Sequence, residues 1–260
     1  VPVHVHPDHT VITFDRPHKR NSMDLAAWQS LGAAVRAAQQ DPAQRAIVLR
    51  GDGRSFCAGN DIDAMSALDG VQGAKDYFVT GMLPTFHAIA ASPLPVIAVV
   101  EGAALGGGVE LVTWSDIVIA GENATFALPE AKIGVWATVY FGAMPAASSR
   151  RLGARLALAG DTLGHKEARD LGLATYAVGQ EELDGTLERV LNGVRAAAPD
   201  ALARSKRWLN RELLDDGLAA SEAALNELSE ETLQGVEFTD RMDAFHAAKA
   251  ARTAAREGAK

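Results

Sequence analysis

Over roughly the first 180 positions, short apolar blocks alternate with longer stretches in which apolar residues recur at helical spacing. Thr10-Val11-Ile12-Thr13-Phe14 predicts a strand, closed by the turn Asp15-Arg16-Pro17. Asp24 predicts an N-cap for a helix carrying Leu25, Trp28, Leu31 and Val35 on one face and stopping before Asp41-Pro42. Ala46-Ile47-Val48-Leu49-Arg50 reads as a short buried strand running into Gly51-Asp52-Gly53. The segment from Ser55 to Ile62 is rich in small residues and reads as a loop. A helical stretch over about 71–91 precedes a second apolar run, Val96-Ile97-Ala98-Val99-Val100. Then come Leu105-Gly106-Gly107-Gly108-Val109-Glu110 and Leu111-Val112-Thr113-Trp114, the latter predicting the first turns of an apolar helix. Ile117-Val118-Ile119-Ala120 predicts a further strand, turned by Gly121-Glu122-Asn123, and Pro129 predicts extended or turning backbone. Beyond about Gly179 the spacing is helical to the end, with a break at Ala198-Pro199-Asp200. The pattern predicts an α/β core over residues 1–190 and a helical region over 191–260.

Composition narrows the function class. A net charge of -8, with no basic stripe carrying interleaved aromatics, argues against nucleic acid as a partner. The single cysteine, Cys57, excludes an internal disulfide and fits a reducing compartment. Val1-Pro2-Val3-His4-Val5-His6 has no signal-peptide architecture, and no apolar run reaches membrane-spanning length, so the expectation is a cytoplasmic protein without a membrane partner. His4 and His6 alternate with valines and fit a solvent-facing edge strand. With only Asp8 and His9 beside them, and no His-Glu-x-x-His spacing in the chain, no metal site is expected.

The glycine run carries the most chemistry. Between a strand and a helix, three consecutive glycines let the backbone approach a ligand closely. The first amides of the helix lack intrahelical partners and sit at the positive end of its dipole. Such a start suits a developing negative charge, and Glu110 sets a carboxylate beside it, the combination needed for proton transfer next to a carbonyl. The run matches neither Gly-x-Gly-x-x-Gly nor Gly-x-x-x-x-Gly-Lys-Ser/Thr, which excludes the common nucleotide-phosphate cradles. A tight packing turn is the competing explanation of the glycines alone.

Three loops together give a family resemblance. They are Arg16-Pro17 with Asn21-Ser22-Met23, the run Phe56-Cys57-Ala58-Gly59-Asn60-Asp61-Ile62, and Glu101-Gly102-Ala103-Ala104-Leu105-Gly106-Gly107-Gly108-Val109-Glu110. In this order and spacing, with Pro129-Glu130, Ala159-Gly160-Asp161 and Asp240…Ala244-Phe245, the chain resembles the crotonase (enoyl-CoA hydratase/isomerase) superfamily over nearly its whole length. The resemblance implies a spiral of ββα units. It implies a C-terminal helical region, 191–260, that mediates a homo-trimer or hexamer and closes the coenzyme A site. It also implies an acyl-CoA thioester substrate, with coenzyme A as part of the substrate and no separate cofactor. The backbone amides of Ala58 and Gly107 would form the oxyanion hole. Glu110 would activate water and Glu130 would donate a proton, with burial pushing their pKa values apart. Acyl-CoA contacts are implied for Arg16, His18, Lys19, Gly59, Asp61, Ile62, Gly106, Trp136, Phe245 and Lys249.

The chain departs from the family pattern in three places. Trp136, Tyr140 and Phe141 occupy a loop that usually reads Gly-x-x-Pro-x-x-Gly-Gly-Thr, which bears on the shape of the acyl pocket. The Arg-Pro-Lys pattern becomes Arg16-Pro17-His18-Lys19, so Lys19 or Arg20 would take the contact with coenzyme A. The basic position after Phe245 is Ala248; Lys249 beside it is rotated by about 100° on a helix. Cys57 has no activating base in the sequence and reads as a packed residue. Asn60 also matches the loop of Δ3,Δ2-enoyl-CoA isomerases, which keeps isomerisation, another crotonase-type reaction, or acyl-CoA binding without turnover as alternatives to hydration.

Overall fold

A computed structural model describes the backbone of residues 1–257 and, among these, the side chains of all but residues 249 and 252–257. In chain order the strands are β1 (Val3–Val5), β2 (His9–Phe14), β3 (Ala46–Gly51), β4 (Ser55–Cys57), β5 (Val96–Val100), β6 (Ala103–Leu105), β7 (Ile117–Gly121), β8 (Thr125–Ala127), β9 (Thr162–Gly164) and β10 (Tyr176–Val178). They form two sheets, ordered β1-β2-β3-β5-β7-β10 and β4-β6-β8-β9. The chain steps from the first sheet to the second at β3 to β4, at β5 to β6 and at β7 to β8, and each step is followed by helix. This is the expected spiral of ββα units.

The apolar runs are nearly continuous because the parallel strands are covered on both faces. Alternate residues divide between two cores. Ile47, Leu49, Val96, Ala98 and Val100 enter the main core, while Ala46, Val48, Ile97, Val99 and Ile119 pack under Leu183, Leu187, Val190, Leu191 and Val194. β1 is an exposed antiparallel edge, as the His-Val alternation predicts, and His6 stacks on His9 with ring centroids 4.3 Å apart. Among the described residues no cluster of three or more histidine, cysteine or acidic side chains is disposed to hold a metal.

The helices are α1 (Leu25–Ala38), α2 (Ile62–Ser66), α3 (Gly70–Tyr77), α4 (Leu83–Ala91), α5 (Gly107–Trp114), α6 (Thr138–Ala147), α7 (Arg150–Ala157), α8 (His165–Asp170), α9 (Leu183–Ala196), α10 (Pro199–Leu209), α11 (Leu218–Asn226), α12 (Glu230–Gln234) and α13 (Val236–Glu257). Asp24 caps α1 as predicted, accepting the Ala27 amide at 2.9 Å, and Trp28, Leu31 and Val35 are buried. Position 190 falls inside α9, whose apolar stripe covers the outer face of the large sheet, so that helix belongs to the core and the purely helical part begins after it. α11 packs on α6, α12 meets α3, and α13 meets the 3-10 turn Glu130–Ile133. Among the described residues no helix is long and apolar enough to cross a membrane.

β4 and β6 are missing from the sequence pattern because three residues are too few to show a period. They are parallel neighbours, with Ser55 opposite Ala103 and Cys57 opposite Ala104. Their carboxyl ends therefore lie side by side, and each opens into one of the motif loops. Ligands of α/β folds bind at such strand ends.

Candidate active site

The loop after β4 is braced from below. Met23 donates its amide to Gly59 O and accepts the Asp61 amide on its own carbonyl, both at 2.8 Å. That parallel bridge uses the groups flanking Asn60 and turns the Asn60 amide to the opposite side. The neighbouring amides are engaged. Ala58 N donates to Arg20 O at 3.0 Å, and Gly59 N donates to Cys57 Sγ at 3.4 Å. The expected oxyanion donor at Ala58 is therefore corrected: its N–H is spent on Arg20, and in this loop the Asn60 N–H has no partner among the described residues.

The carbonyl that engages Ala58 is held in place by local strain. Arg20 and Asn21 both have left-handed backbone, φ 55° and 58°, and Asn21 Nδ2 pins the turn by donating to the carbonyls of Asp52 and Ser55. Arg16 adds bonds to Ser22 O and to Asp61 Oδ2, each 2.8 Å long. Lys19 reaches the same Asp61 oxygen at 2.8 Å. Burial alone would raise the Asp61 carboxyl, but Lys19 and Arg16 bring it below its ordinary range.

Across the gap, Gly106 adopts φ 53°, and α5 starts at Gly107. A side chain on Gly59 would stand 2.8 Å from Gly107 N, so the two loops meet backbone to backbone, with the Asn60 and Gly107 amides in one neighbourhood. The need for glycine at 107 comes from packing: a Cβ there would meet Trp28 Cζ2 at 3.1 Å and Gly59 Cα at 3.3 Å. Gly108 is tighter, with Cys57 O only 2.1 Å from the place of its Cβ. Asn60 Oδ1 accepts Trp28 Nε1–H at 2.9 Å, and since an indole nitrogen only donates, this fixes the side-chain oxygen toward Trp28, leaving Asn60 Nδ2 without a partner among the described residues.

Both candidate acids line the same cavity, about 440 Å³ in volume, with Ala58, Gly59, Asn60, Ile62, Gly106, Gly107, Trp136 and Thr138. Glu110 is 3% exposed, and its Oε1 accepts the amides of Val139 at 3.0 Å and Tyr140 at 2.9 Å, capping α6 from another helix. Burial pushes its carboxyl up to about 7, against the pull of those two amides. Glu130 is only half-buried as a residue, yet its Oε2 is fully inside and has no partner among the described residues. Burial and the negative charge of Glu110 push Glu130 up to about 8. Its Oε1 sits where a Cβ on Gly106 would be, at 2.6 Å, so that glycine makes room for the acid.

The remaining wall is largely apolar, with Gln234, Thr239 and Asp243 as polar members, and comes from regions that the motifs did not mark: Met65 and Leu68, Phe78, Leu225, Leu228 and Leu233, and the α13 face Phe238, Met242, His246. The i, i+4, i+8 spacing of that last set is readable in sequence, though only the fold tells which face of α13 turns inward. Several expected contacts stand elsewhere. Arg16, Lys19 and Asp61 form the brace beneath the loop, and His18 is exposed beside it. Phe245 is half-buried against His246 but is not part of the cavity wall, because α13 turns 238, 242 and 246 inward. The side chain of Lys249 lies outside the described residues. Of the three unusual aromatics, only Trp136 lines the cavity, its Nε1 donating to Ala224 O at 3.1 Å. Tyr140 is core, and Phe141 packs against the core. Cys57 is buried, and burial pushes its thiol up to about 12, which leaves it inert.

Comparison with known proteins bears on the fold and the family. The family model described as "Enoyl-CoA hydratase/isomerase" matches residues 9–251. The chain is 31% identical over 224 residues to the short-chain-enoyl-CoA hydratase of Clostridium acetobutylicum, covering 84% of each protein. It is 33% identical over 206 residues, 78% of this chain and 81% of the relative, to the (7aS)-7a-methyl-1,5-dioxo-2,3,5,6,7,7a-hexahydro-1H-indene-carboxyl-CoA hydrolase of Mycobacterium tuberculosis. Its fold superposes on the crystal structure of an enoyl-CoA hydratase/isomerase from Xanthobacter autotrophicus Py2 with a TM-score of 0.85 and 28% identity, over 97% of both chains. Two facing glycine-bearing loops, with a pair of carboxyls in one cavity, thus stand in a fold shared from end to end with these enzymes, and the chain belongs to the crotonase (enoyl-CoA hydratase/isomerase) family.

Proposed function

We propose that the protein is an enoyl-CoA hydratase, adding water across the 2,3 double bond of a 2-trans-enoyl-CoA to give a 3-hydroxyacyl-CoA. The observation that carries this reading is the unequal pair Glu110 and Glu130 on one cavity. Two backbone amides favour the ionised form of Glu110, and the charge of Glu110 favours the protonated form of Glu130. Glu110 is then the base and Glu130 the acid.

In this scheme the thioester oxygen accepts the amides of Asn60 and Gly107. Each such donor is worth roughly 2.7–4 kcal/mol at the transition state. Water gives a proton to Glu110 Oε2 as its oxygen bonds to C3. The double-bond electrons move toward the thioester oxygen and return to C2, which takes the proton of Glu130. The scheme uses only the chain's own groups and the substrate. Among the described residues the cavity wall has no lysine or arginine, so it suits the acyl and pantetheine parts of the ligand, with the phosphates outside.

The test is the absorbance of the conjugated thioester of crotonyl-CoA with the wild type, Glu110→Gln and Glu130→Gln. The wild type is expected to abolish it, and each variant to slow the loss by about 100-fold or more. A wild type that leaves crotonyl-CoA unchanged but converts a 3-enoyl-CoA into the conjugated ester overturns hydration in favour of isomerisation. Tight binding without either reaction marks an acyl-CoA-binding protein. The hydrolase name of one relative makes hydrolysis of an acyl-CoA the third outcome to score, with release of free thiol reporting cleavage at the thioester.

A further inference from the structure

Three buried side-chain atoms have no hydrogen-bond partner among the described residues: Asn21 Oδ1, Glu130 Oε2 and Thr138 Oγ1. Asn21 belongs to the brace under the loop, where its amide nitrogen is used. The other two are on residues that line the cavity, and Thr138 is 5% exposed. An unpaired buried hydroxyl is unfavourable, and valine would fill the same volume without it. The hydroxyl gains a partner when the cavity is filled by a ligand that carries a polar group there.

The position of Thr138 says which part of the ligand that is. It opens α6, and the amides of the next two residues hold Glu110 Oε1. Thr138 therefore stands beside the proposed base, at the reacting end of the cavity. A hydroxyl both donates and accepts, so it suits an oxygen that is already shared with a carboxyl.

We propose that Thr138 is a substrate-binding residue whose hydroxyl holds the oxygen at C3 of the acyl chain, which is the incoming water during hydration and the 3-hydroxyl of the product afterwards. The protein then prefers acyl-CoA esters with an oxygen at C3 over those with plain methylene. This deepens the hydratase reading and rests on it for the identity of C3.

Calorimetric binding of acetoacetyl-CoA, whose C3 oxygen cannot be eliminated as water, and of butyryl-CoA, which lacks it, to wild type, Thr138→Val and Thr138→Ser tests the proposal. The wild type is expected to bind the 3-oxo ester more tightly. Thr138→Val should reduce the affinity ratio about fivefold, the effect of one neutral hydrogen bond. Thr138→Ser should keep it, and Thr138→Val should melt no lower than the wild type, because it removes an unpaired polar group. A ratio unchanged in Thr138→Val, or no preference in the wild type, overturns the proposal. Binding is read without turnover, so the two claims fail separately. A preserved preference with no hydration of crotonyl-CoA sinks the hydratase reading alone, and hydration with no C3 preference sinks the role of Thr138 alone.

Discussion

Glu110 Oε1 takes two amide hydrogens from the first turn of α6, whereas Glu130 Oε2 takes none among the described residues, and the proposed division of labour between the two carboxyls rests on this asymmetry. Both are raised by burial, but the amides favour the ionised form of Glu110, and the charge of Glu110 in turn favours the protonated form of Glu130. The sign of the pH dependence follows. Below about 7 Glu110 gains a proton and ceases to be a base; above about 8 Glu130 loses its proton and ceases to be an acid. The kcat/KM for crotonyl-CoA is therefore expected to follow a narrow bell with its maximum between those values. In steady-state assays across pH 5 to 10, a flat profile, or a maximum below pH 6, would contradict the assignment of roles.

At the scale of elements, the sequence motifs and the structure assign the same segments different tasks. Arg16, Lys19 and Asp61, implied by resemblance to contact the acyl-CoA, fix the loop after β4 together with Met23, so that among the described residues the Asn60 amide of that loop has no partner. Sequence marks that loop as functional but not which of its amides is free, because the answer lies in a bridge between residues 23 and 60. The glycine run and Glu110 were legible, since a strand, three glycines and an apolar helix read directly in order. β4 and β6 were not, being too short for any period, and the apolar wall from α11 to α13 depends on long-range packing that no local pattern encodes. The brace makes a prediction that separates it from a ligand contact. Arg16→Ala loosens the Asn60 loop and is expected to lower kcat by about tenfold to a hundredfold, the scale of a small misplacement, while leaving the affinity for free coenzyme A unchanged. A weakened coenzyme A affinity with normal kcat, measured by calorimetry and steady-state kinetics, would return Arg16 to the ligand.

For the molecule as a whole, the two sheets bring parallel strand ends together, and the helical C-terminal part supplies the far side of the cavity. The spiral brings the Asn60 and Gly107 loops together beside two buried carboxyl groups. The residues proposed to choose the reaction hang on it from separate elements: Glu110 from α5, Glu130 from the turn after β8, Thr138 from the start of α6. Relatives named as a hydratase and as a hydrolase of coenzyme A esters are both similar to this chain, so the fold alone does not choose the reaction. Where the oxygen of water finishes is what distinguishes these reactions.

The direct measurement is therefore turnover of crotonyl-CoA in heavy-oxygen water, followed by mass spectrometry of the products. Hydration by the Glu110–Glu130 pair predicts an intact coenzyme A thioester carrying one heavy oxygen at C3, formed by the wild type and suppressed in both glutamine variants. Heavy oxygen in a released carboxylate, with free coenzyme A thiol, or a thioester recovered without label, would contradict it.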